Sequence, residues 1–411
     1  MMRLVFGKRL PITSGSIELS GIRGPVTIDR DRWGVPYIKA TNDADAWFGL
    51  GFTHGQDRAF QIEILLRAMR GTLSGLTGPD ALPIDRLSRR IGFHRSALKQ
   101  LAALDDDIRE TLDAYARGIS EGSTRGGTIA HEFALLKSSP TPYQASDVLA
   151  LMKLTAFLLA SNWDSELVRY KMLLEDGAEA VKALDPTYPE WLPQTMIPGL
   201  AAGDAVDRLS VDLETFETVV GLDGGSNNWA LSGDRTDSGL PIVANDPHLG
   251  PTHPSHWYLA RVATPDWAVA GASLLGSPGF PVGFNGHCGW GVTAGLTDNT
   301  DLFLEEIGPD GTSVRIGGDF VQCEVHIETI EVKGGDTVVE RVLETLHGPI
   351  IGPALSENEA AISMRAVWLD ARPLRGLLDL HRVETVGDIR EAYRAWPGLP
   401  LNVVSADDNG D

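Results

Sequence analysis

The sequence is poor in cysteine and in positive charge. Its 411 residues include only two cysteines, Cys288 and Cys323, so at most one bridge can form and no disulfide framework holds the fold together. Cys288 lies in a glycine-rich apolar stretch, which favours a packed side chain over a nucleophile. The 35 basic and 56 acidic residues leave a net charge of −21, which argues against nucleic acid and anionic membranes as partners.

Long hydrophobic runs are also missing. The first residues contain only a short apolar run before Lys8 and Arg9, whereas the apolar part of a signal peptide needs roughly 7–15 residues. The longest apolar stretch, 148–160, contains Lys153 and is shorter than the ~20 residues that span a bilayer. We expect this stretch to form a buried helix, and we expect a cytoplasmic protein with no membrane partner.

The first half of the chain is predicted to be mainly helical. Short β-like pieces at 26–29 and 35–39 come first, and Asp43 is a candidate N-cap for the helix that follows. Further helical patterns cover 95–122 and 145–174. This half therefore predicts a helical unit with a small β element at its start.

After the helical half, the sequence predicts a connector and then strands. Residues 199–225 indicate a loosely structured connector. Beyond it, short β-type runs alternate with turn residues, including a hairpin at 228–244 and a second one around Gly334-Gly335. Helices followed by strands predict a layered α+β fold with antiparallel sheets.

Ser226 is the strongest candidate nucleophile. It stands between the pair Gly224-Gly225 and a predicted strand. A serine hydroxyl needs a base to take its proton. If the chain is cut after Gly225, the α-amine of Ser226 supplies that base, because its ordinary pKa is about 7.7–8.0. Gly225 also permits the strained backbone that self-cleavage requires. On local sequence alone, however, Gly-Ser before a strand usually marks only a turn.

Several short strings accompany Ser226 along the chain. Each is modest alone, but their order and spacing together are specific. They are Arg30-Asp31-Arg32-Trp33-Gly34-Val35-Pro36-Tyr37-Ile38, Gln56-Asp57-Arg58, Ser226-Asn227-Asn228-Trp229, Asn245-Asp246-Pro247-His248, Gly276-Ser277-Pro278-Gly279, Gly289-Trp290-Gly291-Val292-Thr293-Ala294, Asp298-Asn299-Thr300-Asp301-Leu302 and His347-Gly348-Pro349. With them the chain resembles, essentially end to end, the penicillin acylase family of N-terminal-nucleophile hydrolases.

This resemblance implies an αββα sandwich that is made as one precursor and cuts itself into a heterodimer. The implied parts are a helical small chain over 1–199, a spacer over 200–225 that is removed, and the N-terminal part of the large catalytic chain over 226–411. Relatives continue for several hundred residues beyond this point, and the sequence stops just after a turn signal. We therefore expect it to be truncated at its C-terminus.

The resemblance also implies the catalytic roles. Ser226 attacks the carbonyl of a small N-acyl substrate and forms an acyl-enzyme that water releases. The backbone N–H of Ala294 and the side-chain amide of Asn402 match the two oxyanion donors. His248 matches a position near the nucleophile, and a histidine there resembles the cephalosporin and acyl-homoserine-lactone acylase branches. The expected substrate is a β-lactam side chain or an acyl-homoserine lactone.

A structural Ca²⁺ is the one cofactor that the resemblance implies. Asp298, the Thr300 carbonyl and Asp301 match part of its site, and Glu166 matches the ligand from the small chain. Calcium takes six to eight oxygen ligands, and these groups are of the right kind. Without the resemblance, the same acidic residues indicate only a solvated turn.

Two other functions compete with the acylase hypothesis. One is a truncated, non-catalytic remnant that binds ligand or Ca²⁺ without turnover. The other is an unrelated serine or metal hydrolase, because His248, His253 and His256 are close in sequence. The prolines between these histidines break the helix that would align them as zinc ligands.

Other residues have structural or open roles. His54 is predicted to be packed or on the surface, and His347 to serve a turn. For the aromatic residues Phe157, Phe280 and Phe284 the sequence leaves two roles open: they line a pocket, or they belong to the core.

Overall fold

A computed structural model describes residues 7, 9–159, 162–184, 203–221, 225–353 and 360–411. Within them, helices dominate the first half and strands the second, so the predicted mixed α+β class is confirmed. The helices are α1 (Asp43–Arg70), α2 (Ser74–Thr77), α3 (Leu82–Ile91), α4 (Phe93–Leu101), α5 (Asp106–Arg125), α6 (His131–Leu136), α7 (Ala145–Leu159), α8 (Trp163–Asp176), α9 (Ala178–Leu184), α10 (Gly203–Val220) and α11 (Val386–Tyr393). The strands are β1 (Thr27–Arg30), β2 (Pro36–Lys39), β3 (Ser226–Leu231), β4 (Ile242–Pro247), β5 (Trp257–Ala263), β6 (Ala268–Leu274), β7 (Val282–Phe284), β8 (Cys288–Ala294), β9 (Thr300–Glu305), β10 (Ser313–Ile316), β11 (Asp319–Gln322), β12 (Glu324–Ile330), β13 (Val338–Thr345), β14 (Gly348–Gly352), β15 (Ala361–Ala366) and β16 (Leu401–Asp407).

Helix α1 is the long helix of the first half. Its cap is Asn42 rather than the predicted Asp43, because the Asn42 side chain accepts a hydrogen bond from the Asp45 backbone N–H at 3.0 Å. The helix ends at Gly71, whose φ of 62° is a left-handed conformation that favours glycine. Local capping chemistry thus sets both ends of α1.

Helices α1 and α5 pack unusually close together. A Cβ at Gly51 would lie 2.1 Å from the Tyr115 carbonyl oxygen, and one at Gly118 would lie 2.1 Å from the Phe48 carbonyl oxygen. Only glycine fits such contacts between two helix backbones. Helix α1 also contacts strands β2 and β5 of the first sheet.

Two predictions for the helical half are wrong in detail. The segment 95–122 is not one helix but α4 and α5, separated at 102–105, where Asp105, Asp106 and Asp107 favour a new helix N-terminus. The segment 145–174 likewise contains two helices, α7 and α8.

The connector predicted over 199–225 is a helix in its described part, α10. No glycine or proline interrupts 204–220, and its apolar residues recur at helical spacing. Residues 199–202 and 222–224 of that connector lie outside the described residues.

The strands form two larger sheets and two pairs. The first sheet has the order β1-β2-β5-β6-β7-β8-β16, and the second has the order β12-β13-β14-β15-β9. Their neighbouring strands are antiparallel, except that β2 and β5 are parallel. Both predicted hairpins are confirmed: β3 pairs with β4, and β12 pairs with β13 across Gly334-Gly335.

The β3–β4 pair lies on strands β8 and β16 of the first sheet. The Asn245 side chain donates to the Val292 carbonyl at 3.0 Å and accepts from the Val292 N–H at 3.1 Å. A Cβ at Gly291 would lie 2.5 Å from the Asn245 Cβ, so glycine lets the two layers meet. This packing places the start of β3 over the end of β8.

Helix α7 is a core helix, as predicted for the apolar stretch 148–160. Val148 and Leu149 are almost fully buried, and the Lys153 ammonium donates to the Trp368 carbonyl at 2.7 Å. Burial lowers the Lys153 pKa to about 8. In the described part of the chain no single helix could cross a bilayer, although the bent pair α7 and α8 has the length and composition for it.

Candidate functional site

Ser226 is the first residue of β3, and the hairpin brings His248 beside it. Antiparallel pairing places Ser226 opposite Pro247. The next residue, His248, donates its backbone N–H to the Gly225 carbonyl at 2.7 Å. This bond holds the carbonyl of the peptide that links Gly225 to Ser226. The His248 ring in turn contacts Asp246, with 2.7 Å between Nε2 and Oδ2.

Asn402 and Ala294 meet on the neighbouring strands β16 and β8. Asn402 stands opposite Thr293 in the antiparallel register, and Leu401 stands opposite Ala294. The Asn402 side-chain amide donates to the Ala294 carbonyl at 3.1 Å and to Thr293 Oγ1 at 3.3 Å. Two residues that are far apart in sequence are therefore in contact across neighbouring strands.

Ser226, His248, Ala294 and Asn402 all line one cavity of about 500 Å³. The structure thus brings together every residue for which the sequence predicted a catalytic role. Most of the remaining wall is aliphatic. No Asp, Glu, Lys or Arg occurs among the described residues that line it. The cavity has the size and the apolar lining that are typical of small-molecule sites.

Helix α7 supplies much of the apolar wall. Leu151, Leu154 and Leu158 recur at helical spacing and face the cavity. The apolar composition of the segment predicts the helix but not which face lines the cavity. Among the aromatic candidates, Phe157 and Phe280 are 2% and 1% exposed and belong to the core rather than to the cavity wall.

Phe284 is 56% exposed and does not line this cavity either. The pocket role considered for the three phenylalanines is therefore wrong, and the core role is right for Phe157 and Phe280.

A cluster of three carboxylates lies where α8 meets β9. Oxygen atoms of Glu166, Asp298 and Asp301 all lie within 4.8 Å of one another. Burial, together with the neighbouring Asp301 and Asp298, raises the Glu166 pKa to about 7, although the Leu302 N–H donates to it at 2.8 Å. Burial and Asp298 also raise the Asp301 pKa. Protons or a cation must offset such a concentration of negative charge.

Asn162 also belongs to this cluster, although the sequence did not lead us to predict it as a site residue. Its side-chain amide donates to Asp298 Oδ1 at 2.8 Å and reaches Glu166 Oε1 at 3.5 Å. Its own Oδ1 is buried, and no described residue donates a hydrogen bond to it. The signal was its position one helical turn before Glu166. A buried amide oxygen without a donor, beside three carboxylates, fits a hard cation that binds oxygen.

Thr300, the remaining residue of the predicted metal site, begins β9 and is fully buried. Its hydroxyl donates to Asn299 Oδ1 at 2.9 Å and accepts from the Trp368 indole N–H at 3.2 Å. The side chain therefore has a structural role, and only its backbone carbonyl is left for the predicted ligation.

The structure does not bring His248, His253 and His256 into one three-ligand group within the described ranges. The only other such group there is Glu324, His326 and Glu344. In that group Glu344 already pairs with Lys99 at 3.4 Å and with Arg95 at 3.8 Å. The zinc hypothesis thus gains no geometric support.

His54, His347 and Cys288 have structural surroundings. His54 is fully buried and shares hydrogen bonds with Tyr115 Oη (2.7 Å) and Ser273 Oγ (3.1 Å). His347 lies in the turn between β13 and β14 and stacks on Phe303, with ring centres 4.2 Å apart. Cys288 and Cys323 are both free. Burial raises the Cys288 pKa to about 11, which disfavours its thiolate.

Comparison with known proteins gives a consistent result along the chain. A sequence profile of a family described as Penicillin amidase matches residues 25–411. The chain is 32% identical over 97% of its length to the penicillin acylase 2 proenzyme of Pseudomonas sp. (strain SE83), and covers 53% of that protein. It is 31% identical over 98% of its length to the acyl-homoserine lactone acylase QuiP of Pseudomonas aeruginosa, and covers 50% of it.

The chain thus spans about half the length of the curated relatives that it matches. Among solved structures, a thermostable penicillin G acylase from Alcaligenes faecalis is 21% identical, with a TM-score of 0.40. That alignment covers 44% of this chain and 33% of the other.

Proposed function

Because this chain belongs to the penicillin amidase family, we propose that it carries the nucleophile of a self-cleaving acylase that hydrolyses N-acyl amides. The observation that supports this function best is the shared cavity of Ser226, His248, Ala294 and Asn402. The fold we propose is the αββα sandwich of the N-terminal-nucleophile hydrolases. The β3–β4 pair that packs on the first sheet supports it.

The proposed reaction begins with cleavage of the peptide bond between Gly225 and Ser226. The freed α-amine of Ser226 then takes the proton from its own hydroxyl while Oγ attacks the substrate carbonyl. The amide C–N bond breaks, the leaving nitrogen takes that proton, and the acyl group stays on Oγ. Water, deprotonated by the same amine, then attacks the acyl carbon. The bond between that carbon and Oγ breaks, Oγ takes the proton back, and the carboxylic acid is released.

Negative charge develops on the carbonyl oxygen of the acyl group both when the acyl-enzyme forms and when water hydrolyses it. The Ala294 N–H and the Asn402 side-chain amide are the proposed donors to this oxyanion. Two observations support this pairing: the Asn402 amide donates to the Ala294 carbonyl, and both residues line the cavity that contains Ser226. Donors of this kind lower the barrier because they are already oriented when the charge appears.

The apolar wall suggests what the acyl group is. A charged acyl group would lose its hydration in this cavity, and the described lining offers no Lys or Arg to pair with it. We therefore propose an uncharged, apolar acyl group. An acyl-homoserine lactone or an apolar β-lactam side chain meets this requirement.

We also propose a structural Ca²⁺ bound by Glu166, Asp298, Asp301 and the Thr300 carbonyl. The three clustered carboxylates and the buried Asn162 Oδ1 support it. A cation there would join α8 to β9, and so would tie the helical half to the second sheet on either side of the proposed cleavage site.

Cleavage and activity test the function together. We expect the wild-type protein to yield two chains, the larger beginning Ser-Asn-Asn-Trp, and to hydrolyse N-acyl amides. Ser226→Ala should remain one chain and be inactive. Ser238→Ala, at an exposed turn position of the same hairpin, is the matched control and should behave as wild type.

Two outcomes would count against the proposal. A protein that stays intact and still hydrolyses amides refutes the mechanism. A protein that stays intact and inert while binding ligand or Ca²⁺ favours the non-catalytic alternative.

A further inference from the structure

We propose that helix α10 stays in the mature protein and that its last residue, Val220, forms part of the wall of the acyl pocket. This inference rests on the proposed cleavage before Ser226. It departs from the expectation that the whole of 200–225 is removed as a spacer. Any residues lost on maturation would then lie outside Gly203–Val220.

Helix α10 has the burial pattern of a core helix. Its buried side chains follow one helical stripe that faces the core, whereas Asp204, Asp207 and Glu214 point to solvent. The stripe consists of Ala205, Val206, Leu209, Asp212, Leu213, Phe216 and Val220, all at most 8% exposed. Such a stripe is typical of a helix that packs against the core, so its removal would expose that apolar surface.

Phe216 of α10 lies within a cluster of aromatic rings. Its side chain is fully buried, 5.9 Å from the Phe157 ring and 6.4 Å from the Phe93 ring, measured between centroids. Phe93 and Phe157 in turn contact Trp368, at 6.1 Å and 6.0 Å. Loss of α10 would leave a void beside these rings and would expose apolar surface of α4 and α7.

The same stripe of α10 carries a buried charged residue. Asp212 lies 3.4 Å from Arg90 of α3, and both residues are at least nine-tenths buried. Arg90 also contacts Glu340 of β13 at 2.7 Å. Removing α10 would take one of the two carboxylates from a buried guanidinium, which is costly for a charge out of water.

The C-terminal end of α10 reaches the candidate site. Val220 ends the helix and lines the same cavity as Ser226 and the α7 residue Leu154. It is 3% exposed, so its methyl groups contribute to a packed wall rather than to an open rim. A cut between Gly225 and Ser226 does not require Val220 to move, because the helix is held through its own stripe.

The decisive measurement is the mass of every chain in the purified, mature protein, expressed at its full encoded length. We expect Gly203–Val220 to be present, either as the end of the small chain or as a separately retained peptide. The inference is overturned if the large chain begins at Ser226 and no mature chain contains those residues. An uncut protein refutes the proposed function instead, so the two failures are distinguishable.

A second test compares the mature forms of Phe216→Leu, Val220→Ala and the control Val211→Ala, whose side chain is 60% exposed on the same helix. If α10 is excised, all three mature enzymes are chemically identical to wild type. If it is retained, Phe216→Leu lowers the melting temperature. Val220→Ala then raises KM for a long-chain substrate by about fourfold for each methyl group that had contacted the acyl chain.

The control should match wild type in both properties. Melting temperatures and kinetics that are the same in all the mature variants would overturn the inference.

Discussion

The length of the acyl chain should govern the rate of the proposed acylase. The cavity of about 500 Å³ exceeds by more than tenfold the ~30 Å³ that one water molecule occupies in the liquid. Because a methylene group is of similar size, an acyl chain of on the order of ten carbons fits. Substrates that differ only in this chain therefore probe the apolar wall directly.

The expected magnitude follows from burial. Each methylene group that leaves water stabilises the bound state by about 0.8 kcal/mol, which is roughly fourfold in kcat/KM. Four added methylenes, from a four-carbon to an eight-carbon acyl group, should raise kcat/KM by about 200-fold. A terminal carboxylate on the same chain should remove most of that gain, because the described lining holds no cation to pair with it.

The assay is release of the free amine, measured for a series of N-acyl-homoserine lactones. Leu158→Trp should stop the rise at a shorter chain, because Leu158 faces the cavity from α7. Leu135→Trp, at a position 56% exposed on α6, is the control and should leave the series unchanged. A flat series, or a preference for the terminal carboxylate, would refute the assignment of this cavity as an acyl pocket.

Three further predictions concern the oxyanion donor, the carboxylate cluster and a buried histidine. Asn402→Ala should lower kcat/KM by about 10²–10³, because one oxyanion donor is lost; a rate within threefold of wild type would contradict the role. Chelation of Ca²⁺ should lower the melting temperature of wild type but not of Glu166→Gln, whereas Glu179→Gln, exposed on α9, should respond as wild type does; equal responses of all three proteins would contradict the site. Burial lowers the His54 pKa to about 3, below its unfolded value of about 6.5, so the neutral ring stabilises the fold fully above pH 6.5 and progressively less as pH falls towards 3. In urea titrations across this window, the free energy of unfolding of wild type should rise by about 1.4 kcal/mol more per pH unit than that of His54→Gln. Parallel slopes for the two proteins would contradict the assignment.

Local rules determined much of the fold. The strands β1 and β2, both hairpins and the start of α1 to within one residue follow from alternation, turn residues and caps that act over a few positions. The helix α7 follows from its apolar composition. Such signals can be read from the sequence because the residues that generate them are neighbours.

The helix α10 was not predicted, although the spacing of its apolar residues is that of a helix. Its stripe from Ala205 to Val220 has helical spacing, but the run of prolines that precedes it, at 186, 189, 193 and 198, suggested a connector. The split between α4 and α5 was missed for a similar reason, because the periodicity continues across a short break. Periodicity alone does not tell whether a helix has a partner to bury its stripe.

For the site, the sequence alone determined a short set of residue types in a specific order, with Ser226 among them. Tertiary structure decided that Asn402 meets Ala294 across two strands, and that α7 and α10 supply the apolar wall. It also decided that Asn162 joins Glu166 and the two aspartates. Contacts of this kind join residues more than a hundred positions apart in the sequence. They depend on how helices and sheets pack against one another, and no local sequence pattern predicts them.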